Sequence, residues 1–289
     1  MTASLIAIDW GTTNRRVYVL NAAGAVIETV RDAMGLLAVP AGDFASEVAA
    51  IRLRHGDLPV LLAGMVGSAK GWVEVPYRPC PTRIEDLAAS LHWIDPQRTA
   101  IVPGVADPAG DVMRGEEVQI LGAAAGGLVP GDALLCQPGT HCKWARVRDG
   151  RLIEFATAMT GELFALLKSH SLLADFLQGA IGDGPSFREG VRDAMHGQLT
   201  TRLFRVRAAA LLGQRAIDDS AAYTSGLLIG HDVCGQTLGA GQSVYLLADP
   251  QLGALYATAI RLAGGEPVII DSQAAFVAGI NHIWKASQP

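Results

Sequence analysis

The chain has 289 residues, of which 50% are hydrophobic and 18% charged; that is enough for a packed core and argues against wholesale disorder. Lysine and arginine total 23 against 28 aspartates and glutamates, a net charge of −5, which argues against a nucleic-acid binder that works by neutralising phosphates. The apolar stretches fall short of the ~20 residues that a membrane span needs. No basic region followed by an apolar run precedes Asp9, so a secretory signal is not expected and the cytoplasm is the expected location. The four cysteines, Cys80, Cys136, Cys142 and Cys234, lack CxxC spacing and read as reduced thiols, not as a disulfide or zinc framework. Glycine accounts for 33 residues, a sign of tight turns or close backbone approach.

The first predicted element is an apolar strand from Leu5 to Asp9. It is followed by the loop Gly11-Thr12-Thr13-Asn14, a strand to Leu20, a turn at Gly24 and a strand to Glu28. Short continuous apolar runs at 59–63 and 100–102 predict strands buried on both faces. The first runs into Gly64-Met65-Val66-Gly67 and the second into Pro103-Gly104. A helix is expected over 115–125. The opening pattern then returns: Ala133 to Gln137, the loop Pro138-Gly139-Thr140-His141-Cys142-Lys143, a strand to Val147, a turn at Gly150 and a strand to Glu154. Further helices are expected over 161–177, 251–262 and 274–286, and strands over 243–248 and 267–270.

The return is an internal repeat. Gly11 and Thr12 map onto Gly139 and Thr140 at an offset of 128, whereas Gly24 and Glu28 map onto Gly150 and Glu154 at 126, the slip falling inside a turn. Two similar α/β domains are therefore predicted: residues 1–118 with the C-terminal helix 274–289, and residues 119–273. A ligand cleft is expected between them.

The two loops carry the candidate chemistry. Gly11 and Gly139 permit close backbone approach, while Thr12, Thr13 and Thr140 add hydroxyls and N–H groups of the kind that cradle phosphate oxygens. Asp9 ends a buried strand and can hold Mg²⁺ through its water shell. Read alone, the first loop is equally a surface hairpin in which Asp9 and Asn14 make ordinary Asx hydrogen bonds. Paired with the second, it describes a grip on a polyphosphate; the alternative is a duplicated fold whose loops have decayed. His141 lies inside the second loop.

The paired meanders resemble the actin, hexokinase and Hsp70 ATPase superfamily. More closely, the chain is similar to the 2-dehydro-3-deoxygalactonokinase family. The strings that carry the resemblance run in order along nearly the whole chain. They are Ile8 to Asn14, Ala63 to Ser68 with Gly71-Trp72 and Pro76-Tyr77, Val112 to Glu117 with Gln119, Pro138 to Trp144, Thr160 to Leu163, and Ser225 to Gly230. The first string is shared with many sugar kinases and acyl-phosphate enzymes. The strings around Met65, Arg114 and His141 are far more specific together.

The resemblance implies an α/β fold of two ribonuclease H-like, actin/hexokinase-type domains flanking a nucleotide-binding cleft. It implies a cytoplasmic enzyme that uses ATP and Mg²⁺, with Asp9 facing the metal and Gly11, Thr12, Thr13, Gly139, Thr140 and His141 facing the nucleotide phosphates. The expected reaction is phosphorylation of the terminal hydroxyl of 2-dehydro-3-deoxy-D-galactonate in galactonate breakdown. The alternatives are a kinase for another sugar or keto-deoxy acid, or a non-catalytic sugar-acid sensor on the same fold. Glu116 is the expected base, with Glu117 and Asp111 behind it; neighbouring carboxylates on a helix point about 100° apart. Their alternative use is to populate a helix first turn.

The sugar acid would meet Asn14, Arg16, Gly64, Met65, Ser68, Trp72, Arg114 and Lys143. Its carboxylate calls for a cation; Trp72 could wall the pocket, although core packing is the commoner fate of an isolated aromatic. Asp249 stands where the superfamily's adenosine loop usually has glycine, which leaves the nucleotide pose open; the plainer role is a cap for the helix starting at Pro250. The expected partners are a sugar acid and ATP, without nucleic acid or membrane, and a homodimer is compatible with the chain.

Overall fold

The computed structural model describes residues 2–288. Chain order begins with β1 (Ala3–Trp10), β2 (Arg15–Asn21), β3 (Val26–Asp32), α1 (Phe44–His55), β4 (Val60–Gly64), β5 (Arg78–Pro79), α2 (Ile84–Ala89) and β6 (His92–Asp95). It continues with β7 (Thr99–Ile101), β8 (Val105–Asp107), β9 (Asp111–Met113), α3 (Glu116–Ala125), β10 (Ala133–Gln137), β11 (Cys142–Arg148) and β12 (Arg151–Ala158). Then come α4 (Thr160–His170), α5 (Pro185–Ala194), α6 (Leu199–Leu211), α7 (Ser220–Cys234), β13 (Ser243–Leu247), α8 (Pro250–Leu262), β14 (Glu266–Ile270) and α9 (Ser272–Ala286).

The repeat read from the loops is a repeat of sheets. One sheet has the order β3-β2-β1-β4-β7-β6 and the other β12-β11-β10-β13-β14. Apart from the added β6 the two orders correspond strand for strand. In the first, β1 runs antiparallel to β2 and parallel to β4, and β4 runs parallel to β7. In the second, β10 and β13 are parallel, as are β13 and β14. The central strands are the continuous apolar runs: Ile6, Ile8, Leu61 and Leu62 are fully buried, as are Leu135, Val244 and Leu246. Each such side chain removed from water stabilises the fold by roughly 1.5–3 kcal/mol. The edge strand β3 is mostly exposed, with Glu28 and Arg31 among its residues.

Contacts divide the chain into two units. Unit 1 holds residues up to Asp132, Ala145–Phe155 and the chain from Asp271 onward; unit 2 holds Ala133–Trp144 and Ala156–Ile270. The expected boundary after residue 118 would cut α3. Instead the whole helix stays in unit 1, because it packs on α9 through two glycines. A Cβ on Gly122 would lie 2.2 Å from Ala275 O, and one on Gly279 would lie 2.2 Å from Val118 O. The helix expected over 161–177 is also shorter. Ser171 Oγ donates to Leu167 O and accepts from Leu173 N–H, which ends α4 and turns the chain.

Within unit 1, Ile6, Ile8, Val60 and Leu62 pack with Phe44 and Val48 of α1. Trp10 meets Phe44 edge to face at 5.4 Å. In unit 2, Leu134, Cys136, Val244 and Leu246 pack with Phe187, Tyr256 and Ile260. No helix among the described residues is long and apolar enough to cross a membrane.

Candidate active site

In unit 1 the chemistry gathers at the carboxyl ends of β1 and β4. Asp9 is registered with Arg16 on β2 and with Ala63 on β4, and Trp10 with Gly64. Arg16 Nη1 donates to Asp9 Oδ2 at 3.0 Å. Burial raises the Asp9 carboxyl above its ordinary range, and the charge and hydrogen bond of Arg16 pull it back. Gly64 leaves β4 at φ +96, with room for no Cβ: one there would sit 2.6 Å from Trp10 O. The turn at Met65–Gly67 follows, and Ser68 Oγ closes it on Met65 O at 2.7 Å.

The Gly11–Asn14 loop is held from three sides. Leu36 N–H donates to Gly11 O and Leu37 N–H to Thr12 O. Gly35 lies so close that a Cβ would be 2.3 Å from the Thr13 carbonyl carbon. Arg15, the next residue, is buried. It reaches both Asp32 and Glu47 at 2.8 Å and lies 5.0 Å from the centre of the Trp10 ring. Thr12, Thr13 and Asn14 are left exposed.

Both carboxylates at the start of α3 turn back on the approaching chain. Glu116 Oε2 accepts from Arg114 N–H at 3.1 Å, and Glu117 Oε2 from Gly115 N–H at 2.6 Å. Their surroundings differ. Glu116 is half-buried, whereas Glu117 is wholly buried with Oε1 unpartnered. Burial, helped by the Glu116 charge, pushes the Glu117 carboxyl up to about 8. Gly115, at φ +109, brings this corner against Gly64. Arg114 is buried too: Nη2 donates to Val75 O at 2.7 Å, and its guanidinium lies 4.2 Å from the centre of the Tyr77 ring.

Unit 2 holds a cavity of about 450 Å³. Gly139 and Thr140 of the second loop line it, together with Thr160 and Gly161 at the start of α4. Ser225, Leu228 and Ile229 of α7 form one wall, and Leu252, Leu255 and Tyr256 of α8 another. Phe164 and Ile181 add to an apolar slot suited to a flat ring. Gly161 presses on the loop: a Cβ there would lie 2.5 Å from Gly139 O, and the next residue, Glu162, donates its N–H to Thr140 O at 2.9 Å. His141 Nε2 pairs with the Glu162 carboxylate. Asp249 caps α8, its Oδ1 accepting from Gln251 and Leu252 N–H at 3.1 Å, and Pro250 opens the helix. The same residue lines the cavity mouth.

The structure therefore brings Asp9, Arg16, Gly64, Met65, Ser68, Arg114, Glu116 and the first loop into unit 1, and Gly139, Thr140 and His141 into unit 2. Trp72 packs against the unit 1 core, as does Met65. Lys143 does not join the unit 1 candidates. It is buried in the part of β11 that belongs to unit 2 and stands, at the repeat offset of 128, where Arg15 stands in unit 1. Sequence reasoning missed most of the cavity: Phe164, Ser225, Leu255 and Tyr256. Ser225 stands in one of the six strings that carry the resemblance, Phe164 directly follows another, and neither was given a role.

Two sheets with matching strand orders, a glycine-threonine loop after the first strand of each, and a slotted cavity beside the second loop define a duplicated α/β fold with a ligand slot. The model of the family described as 2-keto-3-deoxy-galactonokinase matches residues 9–283, and the chain belongs to that family. It is 36% identical to a Rhizobium meliloti (strain 1021) protein carrying the name 2-dehydro-3-deoxygalactonokinase DgoK1, over 98% of this chain and 97% of that one. It is 34% identical to the 2-dehydro-3-deoxygalactonokinase of Escherichia coli (strain K12), over 99% of both. A crystal structure from Sinorhizobium meliloti, described under the same enzyme name, superposes with a TM-score of 0.92 at 33% identity, covering 99% of each chain. The chain is a kinase.

Proposed function

We propose that the protein transfers the γ-phosphoryl group of ATP to the terminal hydroxyl of 2-dehydro-3-deoxy-D-galactonate, preparing it for aldol cleavage in galactonate breakdown. The observation that carries this reading is full-length membership of a family whose named relatives act on that sugar acid. The unit 2 cavity supports the nucleotide half. Its apolar slot takes the base, and the Gly139-Thr140 loop at its polar end takes the phosphates.

The sugar acid is assigned to the carboxyl ends of β1 and β4. Asn14, Arg16 and Arg114 supply donors there, Ser68 offers its hydroxyl oxygen as an acceptor, and the glycine turn at Gly64 keeps the backbone close. Glu116 is assigned as the base that accepts the hydroxyl proton, because it is half-buried and reachable whereas the Glu117 carboxyl is enclosed. Asp9 suits Mg²⁺: it stands near the end of β1 beside the exposed Thr12-Thr13-Asn14 loop, and Mg²⁺ is commonly held by one or two carboxylates with phosphates and waters. Bound there, the ion would neutralise charge on the transferring phosphates. Arg16 keeps the Asp9 carboxylate oriented at 3.0 Å.

The test is a coupled assay with ATP, Mg²⁺ and a panel of keto-deoxy acids differing at one hydroxyl. Highest kcat/KM on the galactonate-derived acid is expected. A preference for the gluconate-derived epimer, or for a neutral sugar, would replace the assigned substrate.

A further inference from the structure

Behind the unit 2 cavity lies a buried carboxylate that the proposed chemistry does not use. Asp232, on the last turn of α7, is 8% exposed. Its Oδ1 accepts from Trp144 Nε1 at 2.8 Å, and its Oδ2 accepts from Thr160 Oγ1 at 2.8 Å and from the Tyr256 hydroxyl at 2.7 Å. The donors come from β11, α4 and α8, so one side chain ties four elements of unit 2 together.

Two of those donors, Thr160 and Tyr256, line the cavity from different walls, while Asp232 itself does not line it. Thr160 also governs the phosphate loop. It opens α4 and is followed by Gly161, packed on Gly139 O, and by Glu162, bonded to Thr140 O. A shift of Thr160 therefore moves Gly139 and Thr140, and a shift of Tyr256 moves the opposite wall.

Only a carboxylate satisfies this set. Its two oxygens offer about four lone-pair sites, enough for three donors, whereas an amide offers a single acceptor atom. The indole N–H of Trp144 can only donate. With asparagine at 232 the amide oxygen must serve Trp144, which turns the amide NH₂ toward Thr160 and Tyr256. Both hydroxyl protons then lose a buried acceptor.

We infer that Asp232 is a positioning residue for nucleotide binding, acting through Thr160 on the phosphate loop and through Tyr256 on the cavity wall. The inference rests on assigning this cavity to the nucleotide. Asp232→Asn is isosteric, and it should weaken ATP binding, measured by calorimetry without sugar acid, by roughly 10- to 100-fold, the worth of a hydrogen bond to a charged group. KM for ATP should rise in parallel while KM for the sugar acid at saturating ATP stays put. Thr160→Val and Tyr256→Phe, each deleting one tether, should produce part of the effect, and Thr160→Ser should recover most of what Thr160→Val loses.

A folded Asp232→Asn protein that binds ATP within about twofold of the parent overturns the inference, since core packing alone predicts a lower melting temperature and unchanged affinity. If Asp232→Asn does not fold, the two tether variants decide, and parental ATP affinity in both overturns it. Failure of the parent chain itself to bind ATP would instead remove the nucleotide assignment, and this inference with it.

Discussion

Gly35 and Gly161 occupy equivalent places in the two units: they stand 126 residues apart, the offset that holds after the turn, and each lays bare backbone against a glycine-threonine loop. The first abuts Thr13 at 2.3 Å and the second Gly139 at 2.5 Å, as measured from an added Cβ. The duplication thus includes the brace as well as the loop.

Replacing Gly161 with alanine should therefore damage nucleotide binding more than folding. The methyl group must displace the Gly139 backbone, and overpacking of this kind costs about 1–3 kcal/mol. The expected outcome is a KM for ATP raised about tenfold, with the melting temperature lowered by only a few degrees. Steady-state kinetics and a thermal melt on the same preparation check it. An unchanged KM would mean that the loop has slack.

Asp9→Asn should abolish most turnover and leave the fold standing. Asparagine keeps the shape and can still accept from Arg16, but it removes the charge proposed to organise Mg²⁺. A loss of roughly 10²-fold or more in kcat is expected, the scale for removing one preorganised electrostatic contact. Near-parental turnover at saturating Mg²⁺ would end the metal role; a collapse of the melting temperature would instead make Asp9 a structural residue of the hairpin.

The two neighbouring glutamates separate in a paired experiment. Glu116→Gln should lower kcat by ~10²–10⁴-fold with little change in KM, the signature of a positioned base. Glu117→Gln should retain activity at neutral pH, because its carboxyl is already largely protonated there and glutamine can still accept from Gly115 N–H. The reverse pattern would move the base one residue along α3.

Glu117 also makes stability depend on pH. Its folded-state value near 8 lies above the ordinary 4.5, so the folded protein holds a proton that the unfolded chain releases. This contribution is fully present below pH 4.5, declines as pH rises, and is lost above about 8. Across that window the parent should lose on the order of a few kcal/mol relative to Glu117→Gln, with no further divergence above it. Chemical denaturation of both proteins from pH 5 to 9 measures the difference; parallel curves would show that Glu117 is ionised in the fold.

Much of this architecture was legible in the residues, because the signals are local. Gly11-Thr12 and Gly139-Thr140 announce the repeat, and the runs 59–63 and 243–248 announce central strands, because a strand buried on both faces has no polar side. Asp249-Pro250 spells a helix start, and the structure shows the cap. What stayed hidden depends on distant pairings. Nothing near Asp232 points to Trp144, 88 positions away, or to Thr160, 72 away. The close crossing of α3 and α9 was hidden for the same reason: it is set through Gly122 and Gly279, more than 150 residues apart in the chain. Lys143 reads as a cation available near the loop motif, whereas β11 takes it in and buries it.

The placement of the cysteines gives each unit its own clock. Cys136 and Cys142 sit with sulfurs 3.6 Å apart in the unit 2 core, and Cys80 is buried in unit 1. Burial lifts all three thiols above their ordinary value, so in the closed fold they are poor nucleophiles. A thiol reagent can label them only when the surrounding structure opens, which turns labelling rate into a measure of local opening. Mass spectrometry resolves the sites, so the native chain reports which half a given ligand quiets: ATP should slow Cys136 and Cys142, and the sugar acid should slow Cys80.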